Sequence, residues 1–509
     1  LRLTHDAPLP ARQPPASRAR RWRKWLKRLA WMGLGLLLVL LTIFLLVPVW
    51  ISNDQGRAYI LQQLNKHSRA TISVDQWSLS WFHGTDLRNL TITLPDHTRL
   101  LSCPHVHTDL TLWGILFGHY DLGSTTIDTL QLALTKYPDG TTSLDALAPS
   151  IAPAATTSAA ATPPRAGSAR LLSDLRFVRG SLRIDNAVVT LNSVAAGESV
   201  TFTDVKAALT IAAPDAPFHL QVTAAGPNTS LSFNGTLPAP ASWPPPPWSL
   251  LGDAELSAAN LPTGLAADWL SLDPRWQVSV GHTLDQLSFT NHPGAGNTST
   301  PRLTVRGSPG PGEIPGGSID ARCSLETTTQ GALLSLPDDE NAATPRVRAS
   351  LNLSPPLVAL LTRVNPIFAE AQSSDGPIDV ALMNFSMDSS APQNARAAAR
   401  LVFPTLHFAR SGLMARLLHI TGTTETSPTL TAEVSPLRLH LAAGALSYES
   451  LSLLVAGYVR LSFGGSVDAD GALHLRAILP LASPDALASG TVETPIIGTT
   501  AHPVLVPIP

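Results

Sequence analysis

The segment "CPHVH" brings together three side chains that can bind a transition metal. Cys103, His105 and His107 occupy alternate positions, so a β-strand would direct all three to one face. A thiolate and two imidazoles suit zinc or copper, but a structural zinc site takes four ligands. Because no fourth ligand follows at a metal-binding spacing, we interpret the segment as a polar strand face with Pro104 at an edge. We predict neither a metal site nor a cofactor.

Recognisable catalytic patterns are missing from the sequence. Asp338, Asp339 and Glu340 form an acidic run with the character of a solvated loop. The chain contains no G-x-S-x-G elbow, no P-loop, no H-E-x-x-H pair and no G-x-G-x-x-G after a strand. We therefore predict that the protein is not an enzyme.

The chain has two cysteines, Cys103 and Cys323, which lie far apart in sequence. They do not form a C-x-x-C metal motif. In an oxidising compartment they can pair as a disulfide, or each can be buried separately. The sequence leaves both arrangements open.

The first 51 residues have the character of a membrane anchor. Residues 1–28 carry nine Arg or Lys residues and one acid, Asp6, which gives a net charge of +8. Residues 29–51 carry no charge, and about 20 such residues span a bilayer as a helix. We predict a single transmembrane helix, with residues 1–28 as a basic cytoplasmic tail. A signal peptide is the competing interpretation, but its apolar region is usually shorter and ends at small residues.

The rest of the chain is weakly charged and mildly acidic. Charged residues make up 14% of the sequence, against about 25% in ordinary soluble domains. Residues 29–509 together carry a net charge of −10. Nucleic-acid-binding domains need a basic face, so we expect no nucleic-acid partner.

Beyond the anchor, hydrophobic residues recur with period two along most of the chain, which is typical of β-strands. One example is "LHLRAILPL", residues 473–481, which follows a tight-turn signal at residues 468–471. We interpret its leucines as part of an ordinary protein core, in which they pack against a helix predicted at residues 406–420.

Two further helices interrupt the strand pattern. An amphipathic helix is predicted over residues 54–67, with Asp54 as its N-cap. A second is predicted over residues 355–371, with Pro at its start and a kink at Pro366.

Composition divides the chain into successive regions. A Pro/Ala/Thr/Ser-rich stretch is predicted to be a flexible linker, and other Pro-rich runs are predicted to be surface loops. The predicted regions are the tail 1–28, the transmembrane helix 29–51, a β-rich region 52–148, the linker 149–170, a middle β-rich region 171–345 and a C-terminal module 346–509.

Taken in order, these features resemble the AsmA-like family of bacterial envelope proteins. The matching segments are "DQGRAYILQQLNKHSRATISVDQWSLSWF" after the anchor, "KYPDGTTSLDAL" at the D-G-x-x-S-L turn, and "GGSVDADGALHLRAILPL" with "TPIIGTT" near the end. The long Pro-rich insertions depart from the family pattern. The resemblance covers the anchor and residues 54–147, and more weakly the middle and C-terminal regions.

The resemblance implies a mainly β fold with a few helices, in which the transmembrane helix precedes a long curved antiparallel sheet, or β-groove. Helices are expected near the membrane end and in the C-terminal module. It also implies an inner-membrane protein whose bulk lies in the periplasm and whose groove binds or conveys phospholipid. Alternating strands independently provide one oily face that an acyl chain can cover.

We predict that the lipid-facing surface lies in the strands that adjoin the anchor. The predicted residues are Ile72, Val74, Leu79, Trp81, Leu90, Ile92, Leu110 and Leu112. The expected partners are membrane phospholipids, the inner membrane and other envelope proteins. The alternative function is a non-transport scaffold or assembly factor for outer-membrane proteins.

Overall fold

The computed structural model of the chain describes residues 38, 42, 44–46, 48–116, 121–147, 179–213, 216–237, 252–294, 298–309, 315–327, 332–336, 346–423, 427–480 and 490–506. Within these ranges the protein is mainly β, with one long sheet and a few short helices. The mainly β fold class is therefore confirmed.

The predicted anchor is described only in part. Residues 38, 42, 44–46 and 48–52 are helical, and the other residues of the 29–51 segment lie outside the described ranges, as does the tail 1–28. Among the residues that the structure describes, no helix combines the length and the apolar character needed to cross a bilayer.

The N-terminal part of the sheet follows helix α1 (Asp54–His67). Its strands are β1 (Thr71–Ser73), β2 (Gln76–Ser78), β3 (Thr85–Thr93), β4 (Arg99–Thr108), β5 (Asp121–Asp128) and β6 (Gln131–Lys136). Helix α2 (Leu112–Leu116) lies between β4 and β5. The helix predicted at residues 54–67 is confirmed, but Asn53 is its N-cap and accepts a hydrogen bond from the backbone N of Asp54 at 2.8 Å. The prediction of Asp54 as the cap is wrong by one residue.

The middle part of the sheet contains longer strands. They are β7 (Arg179–Ser193), β8 (Glu198–Ile211), β9 (Phe218–Ala225), β10 (Ser230–Leu237), β11 (Asp253–Ala259), β12 (Leu261–Pro262), β13 (Thr283–Asn291), β14 (Thr298–Ser299), β15 (Arg302–Gly307), β16 (Ser318–Arg322), β17 (Ser324–Thr327) and β18 (Ala332–Ser335). Between β12 and β13 lie the short helices α3 (Thr263–Trp269) and α4 (Gln277–Val280).

The C-terminal part completes the sheet. Its strands are β19 (Val347–Leu351), β20 (Ala371–Ser374), β21 (Ile378–Asp388), β22 (Arg396–Val402), β23 (Leu406–Ala409), β24 (Thr429–Val434), β25 (Leu437–Ala442), β26 (Ala445–Val455), β27 (Val459–Val467), β28 (Leu473–Pro480), β29 (Thr491–Gly498) and β30 (Pro503–Leu505). Its helices are α5 (Pro355–Val364) and α6 (Gly412–Ile420).

The two helices predicted in the C-terminal module are found with different bounds. Helix α5 ends at Val364, and a single 3-10 turn follows at Pro366–Glu370, as expected where proline cannot continue the backbone hydrogen bonds. The segment 406–420 is not all helical, because its first residues form strand β23. That part of the prediction is wrong.

Most strands pair antiparallel with a strand close to them in sequence, and short strands often share one position in the sheet. For example, β1 and β2 both pair with β3, and β24 and β25 both pair with β26. Both β5 and β6, however, pair with β7 in the parallel direction. The prediction of a wholly antiparallel sheet is wrong at this step. Because a parallel connection must carry the chain back along the sheet, this junction needs a long connection. The chain between β6 and β7 provides it and includes the predicted linker at 149–170.

A line of unusual backbone conformations crosses the N-terminal strands. Asn89, Thr129 and Asn186 have φ angles of 53°, 57° and 57°, in the left-handed region. The residues beside them are register partners from strand to strand. Arg88 pairs with His105, His105 with Asp128 and Asp128 with Asp185, so the three left-handed residues lie in line across the sheet. We call this line the crease. The alternation of side chains between the two faces changes there, so that Leu87 and Leu90, three residues apart, pack against the same buried cluster.

The densest core lies in the C-terminal module, where helix α6 and strands β23 to β29 contribute to one buried cluster. In β28, Leu473, Leu475, Ala477 and Leu479 are at most 3% exposed. They belong to the same cluster as Leu417 of α6. Strand β28 therefore lines a protein core, and Leu481, the last residue of the predicted strand, lies outside the described residues.

Candidate apolar binding surface

One row of apolar side chains runs without interruption across sixteen neighbouring strands, from β2 to β25. Each member is the register partner of the next, so all lie on one side of the sheet. We call it the long row; its members are Trp77, Leu87, Val106, Ile127, Ile184, Ala207, Val222, Phe233, Leu256, Phe289, Leu303, Ala321, Val347, Leu382, Ala399 and Leu439. At about 4.8 Å per strand, the row follows a path of about 70 Å.

Most side chains of the long row are only partly buried. In the long row only Val106 and Leu439, each 8% exposed, are buried. Phe233, Leu256 and Phe289, in the middle of the sheet, keep intermediate exposure. A partly exposed apolar path of this length differs from scattered surface hydrophobes and is typical of a binding surface.

A second, shorter row leads from the first strand to the middle of the sheet. We call it the short row; its members are Ile72, Ile92, Leu101, Leu132, Val189 and Phe202, each paired with the next. It contains the predicted lipid-facing residues Ile72 and Ile92, which are half-buried. The pairing of β1 with β3 places these two residues side by side on one face of the sheet, and their contact with lipid stays a prediction.

The short row ends at an apolar cavity of about 330 Å³ between the sheet and helix α3, which we call the α3 cavity. Val189, Phe202 and Ala224 line it from the sheet, and Ala266 and Trp269 line it from the helix. All of its lining residues are aliphatic or aromatic. Its volume lies near the lower end of the range for ligand pockets, about 300–1,000 Å³.

Buried polar contacts hold helix α3 in place above this cavity. The Nζ of Lys136 donates hydrogen bonds to the backbone oxygen of Asp268 and, at 3.2 Å, to Oγ of Ser271. Ser193 Oγ donates to Oδ2 of Asp268 at 2.6 Å. At the other end of the helix, the backbone N of Leu265 donates to a Glu198 carboxylate oxygen at 2.6 Å. Helix α3 is thus tethered to strands β6, β7 and β8.

Aromatic side chains gather where the helical residues 44–46 and 48–52 meet the sheet. Trp81 stacks on Phe44 with ring centroids 3.9 Å apart, and its Nε1 donates to the Phe44 backbone oxygen at 2.8 Å. Trp113 packs edge-on against both rings, and Phe82 stacks beside Trp113. Phe82 is 71% exposed and Trp113 is 46% exposed. We call these four residues the aromatic cluster.

The other residues predicted to face lipid occupy varied positions. Val74, which follows β1, and Trp81 are buried, and Leu79 is half-buried. Leu90 pairs with Cys103 inside the sheet. The remaining two are Leu110 and Leu112.

Leu110 and Leu112 do not lie in a strand. Strand β4 ends at Thr108, and Leu112 is the first residue of helix α2. The prediction that strand alternation continues through this segment is wrong. The local reason is that Thr108 turns the chain, since its hydroxyl accepts a hydrogen bond from the backbone N of Leu110 at 3.2 Å.

The possible metal ligands of "CPHVH" lie on different faces. Cys103 is buried in the core, whereas His105 and His107 are about 40% exposed beside Asp86. The expectation of a shared face is wrong because the crease passes between Cys103 and His105. The hydrogen bond from His107 Nδ1 to Asp86, 2.8 Å long, holds the pKa of that carboxyl below its ordinary value of 3.8. Within the described ranges, no three His, Cys, Asp or Glu side chains are arranged to hold a metal ion.

Both cysteines have free thiols. Cys103 is buried and Cys323 is half-buried, so of the two arrangements left open by the sequence the structure has separate burial. Burial raises the pKa of each thiol above its ordinary value of 9.0. Neither has the lowered pKa that activates a nucleophilic cysteine.

The opposite face of the sheet is polar and carries a cavity of about 600 Å³. Arg306, Arg348 and Arg400 line it together with Asp320 and Asp379. This mixture of charges suits water or small ions and contrasts with the long row on the other face. The two faces therefore offer different chemistry along the same strands.

The apolar surface of the sheet is wider than the set of residues predicted to face lipid. The apolar surface extends through β7 to β25, although only the strands near the anchor were predicted to carry it. The alternation in "VTFTDVKAALTI" and "SLSFNGTL" is the signal that extends it. Helix α3 was also missed, although Leu265, Ala266 and Trp269 have helical spacing after Pro262. Comparison of the chain with protein-family models, with curated proteins and with solved structures finds no match.

Proposed function

We propose that this protein is an AsmA-like envelope protein that binds phospholipid acyl chains along the long row, on the periplasmic side of the inner membrane. The observation that carries the proposal is the continuity of the row, in which sixteen register-paired positions hold no polar side chain. Acyl chains gain about 0.8 kcal/mol for each methylene group removed from water. No catalytic group is required.

The aromatic cluster supports attachment to a membrane beside the first strands. Exposed Phe and Trp rings favour the boundary between headgroups and acyl chains. The long row begins at Trp77, whose Nε1 donates to the backbone oxygen of Ile51 at 2.8 Å. An acyl chain that leaves a bilayer at the aromatic cluster would therefore meet the start of the row.

Native mass spectrometry of the full chain, with identification of extracted lipids, tests the proposal. We expect phospholipid at a defined ratio, and we expect Leu303→Glu to abolish it, since a charge is introduced into the apolar row. Thr304→Glu is the matched control, because its side chain lines the polar cavity on the opposite face. A folded protein that carries no lipid, or equal lipid in both variants, would refute the proposal.

The second candidate is a non-transport scaffold for outer-membrane protein assembly. The closed core of β26 to β29 favours it, because those apolar faces are filled by the protein itself. The same experiment separates the two candidates, since a scaffold is expected to be lipid-free and to retain its partners in Leu303→Glu.

A further inference from the structure

The α3 cavity is larger than a packing defect. Protein interiors are close-packed, with few voids larger than a water molecule. An engineered apolar cavity of about 150 Å³ stays dry and binds benzene. The α3 cavity has about 330 Å³, and aliphatic and aromatic side chains line it. Water finds no partners on such walls, so an apolar ligand is its natural occupant.

The walls of the α3 cavity, as formed by the described residues, expose no polar atom. The indole Nε1 of Trp269, which has no hydrogen-bond partner among the residues that the structure describes, is buried away from the cavity and does not reach an occupant. The part of a ligand that fits inside the cavity is therefore wholly apolar.

We propose that the α3 cavity, which lies at the end of the short row, is a discrete binding site for one acyl chain. This inference names a specific site for the ligand class of the proposed function and rests on that function for the ligand's identity. The long row offers a path along the sheet, whereas the α3 cavity offers a single position that is partly open to solvent.

The support of helix α3 fits a binding role. Lys136, Ser193 and Glu198 fix both ends of the helix to the sheet through buried or half-buried contacts. A void beneath a loosely held helix would close by movement of the helix. These three tethers hold α3 apart from Val189 and Phe202 and keep the cavity open.

Photo-crosslinking of the full chain in phospholipid vesicles tests the inference. The probes are a diazirine-bearing palmitic acid and a diazirine-bearing phosphatidylglycerol, and crosslinked peptides are identified by mass spectrometry. We expect labelling of residues 261–270 that saturates at one probe per chain. The probe that labels this segment at lower concentration identifies the source of the chain as free fatty acid or phospholipid.

Two variants test the cavity itself. Ala266→Phe fills it and is expected to reduce labelling of this segment at least tenfold. Ala224→Phe fills it from the sheet side and is expected to have the same effect. Ala225→Phe is the control, because Ala225 is exposed on the face of β9 opposite to the lining residue Ala224. Circular dichroism verifies that each variant is folded.

The outcomes distinguish this inference from the proposed function. Labelling confined to strands β13 to β22, or unchanged labelling of residues 261–270 in folded Ala266→Phe, overturns the inference and leaves the proposed function standing. Labelling of residues 261–270 alone, with none along the long row, supports the inference and overturns transport along the row. Absence of labelling overturns both.

Discussion

Lys136 and Asp268 form a buried ion pair between strand β6 and helix α3, with 3.7 Å between Nζ and Oδ1. Their side chains are 7% and 11% exposed, and 132 residues of sequence separate them. The pair therefore links the part of the sheet near the predicted anchor to the helix that covers the α3 cavity.

Replacement of Lys136 by Met should strongly destabilise the fold. The substitution leaves the Asp268 carboxylate buried without its cation. We expect the free energy of unfolding to fall by about 3–5 kcal/mol. Urea unfolding followed by fluorescence measures the effect. Lys206→Met is the matched control, since its pair with Asp204 is more than half exposed and should contribute at most about 1 kcal/mol. Equal losses in the two variants would contradict the interpretation.

Replacement of Thr129 by Asn should stabilise the protein by about 1 kcal/mol. Thr129 is exposed and has a φ of 57°, a conformation that is unfavourable for a β-branched residue and tolerated by Asn. Thermal unfolding measures the change. The reciprocal control is Asn186→Thr, at the equivalent position of the crease, which should lower stability by a similar amount. A lower Tm for Thr129→Asn would show that the hydroxyl or methyl group makes a contribution that outweighs the backbone strain.

Stability at neutral pH should depend on Glu370. Burial raises the pKa of this carboxyl above its ordinary value of 4.5, although its bonds from the backbone N atoms of Leu413 and Met414 act in the opposite direction. Because the folded state holds the proton more tightly, the contribution of Glu370 is fully present below about pH 4.5 and is lost as the pH rises through the folded pKa.

The Glu370→Gln variant checks this sign. Gln keeps one oxygen for the backbone donors and cannot ionise, so the Tm of the variant relative to wild type should increase as the pH is raised from about 4 to about 7. Differential scanning fluorimetry across this range measures the difference. A difference that is constant with pH, or that decreases, would exclude the predicted direction.

Local patterns predicted much of the fold. Period-two alternation identified β28 and its turn, and helical spacing identified α1 and α5. These features depend on residues that lie close together in the sequence.

Features that depend on distant residues could not be predicted. Helix α3 has seven residues, and its tethers Lys136 and Glu198 lie far away in sequence. The long row depends on the register of strand pairs, and a one-residue slip would move every side chain to the other face. The crease was not predicted either. Nothing in the sequence near Thr129 indicates that its backbone is left-handed or that Asn89 and Asn186 on neighbouring strands share this conformation.

The sheet has two rims, at which its strands begin and end. The parallel pairing of β6 with β7 determines at which rim each later connection lies. In an antiparallel meander, successive strands end on alternate rims. Because β6 and β7 run in the same direction, both end at the same rim, where Lys136 and Ser193 are register partners. Four further strands bring the chain back to that rim after β11, where α3 begins. With an antiparallel step instead, α3 would emerge at the opposite rim, and Asp268 would be out of reach of Lys136.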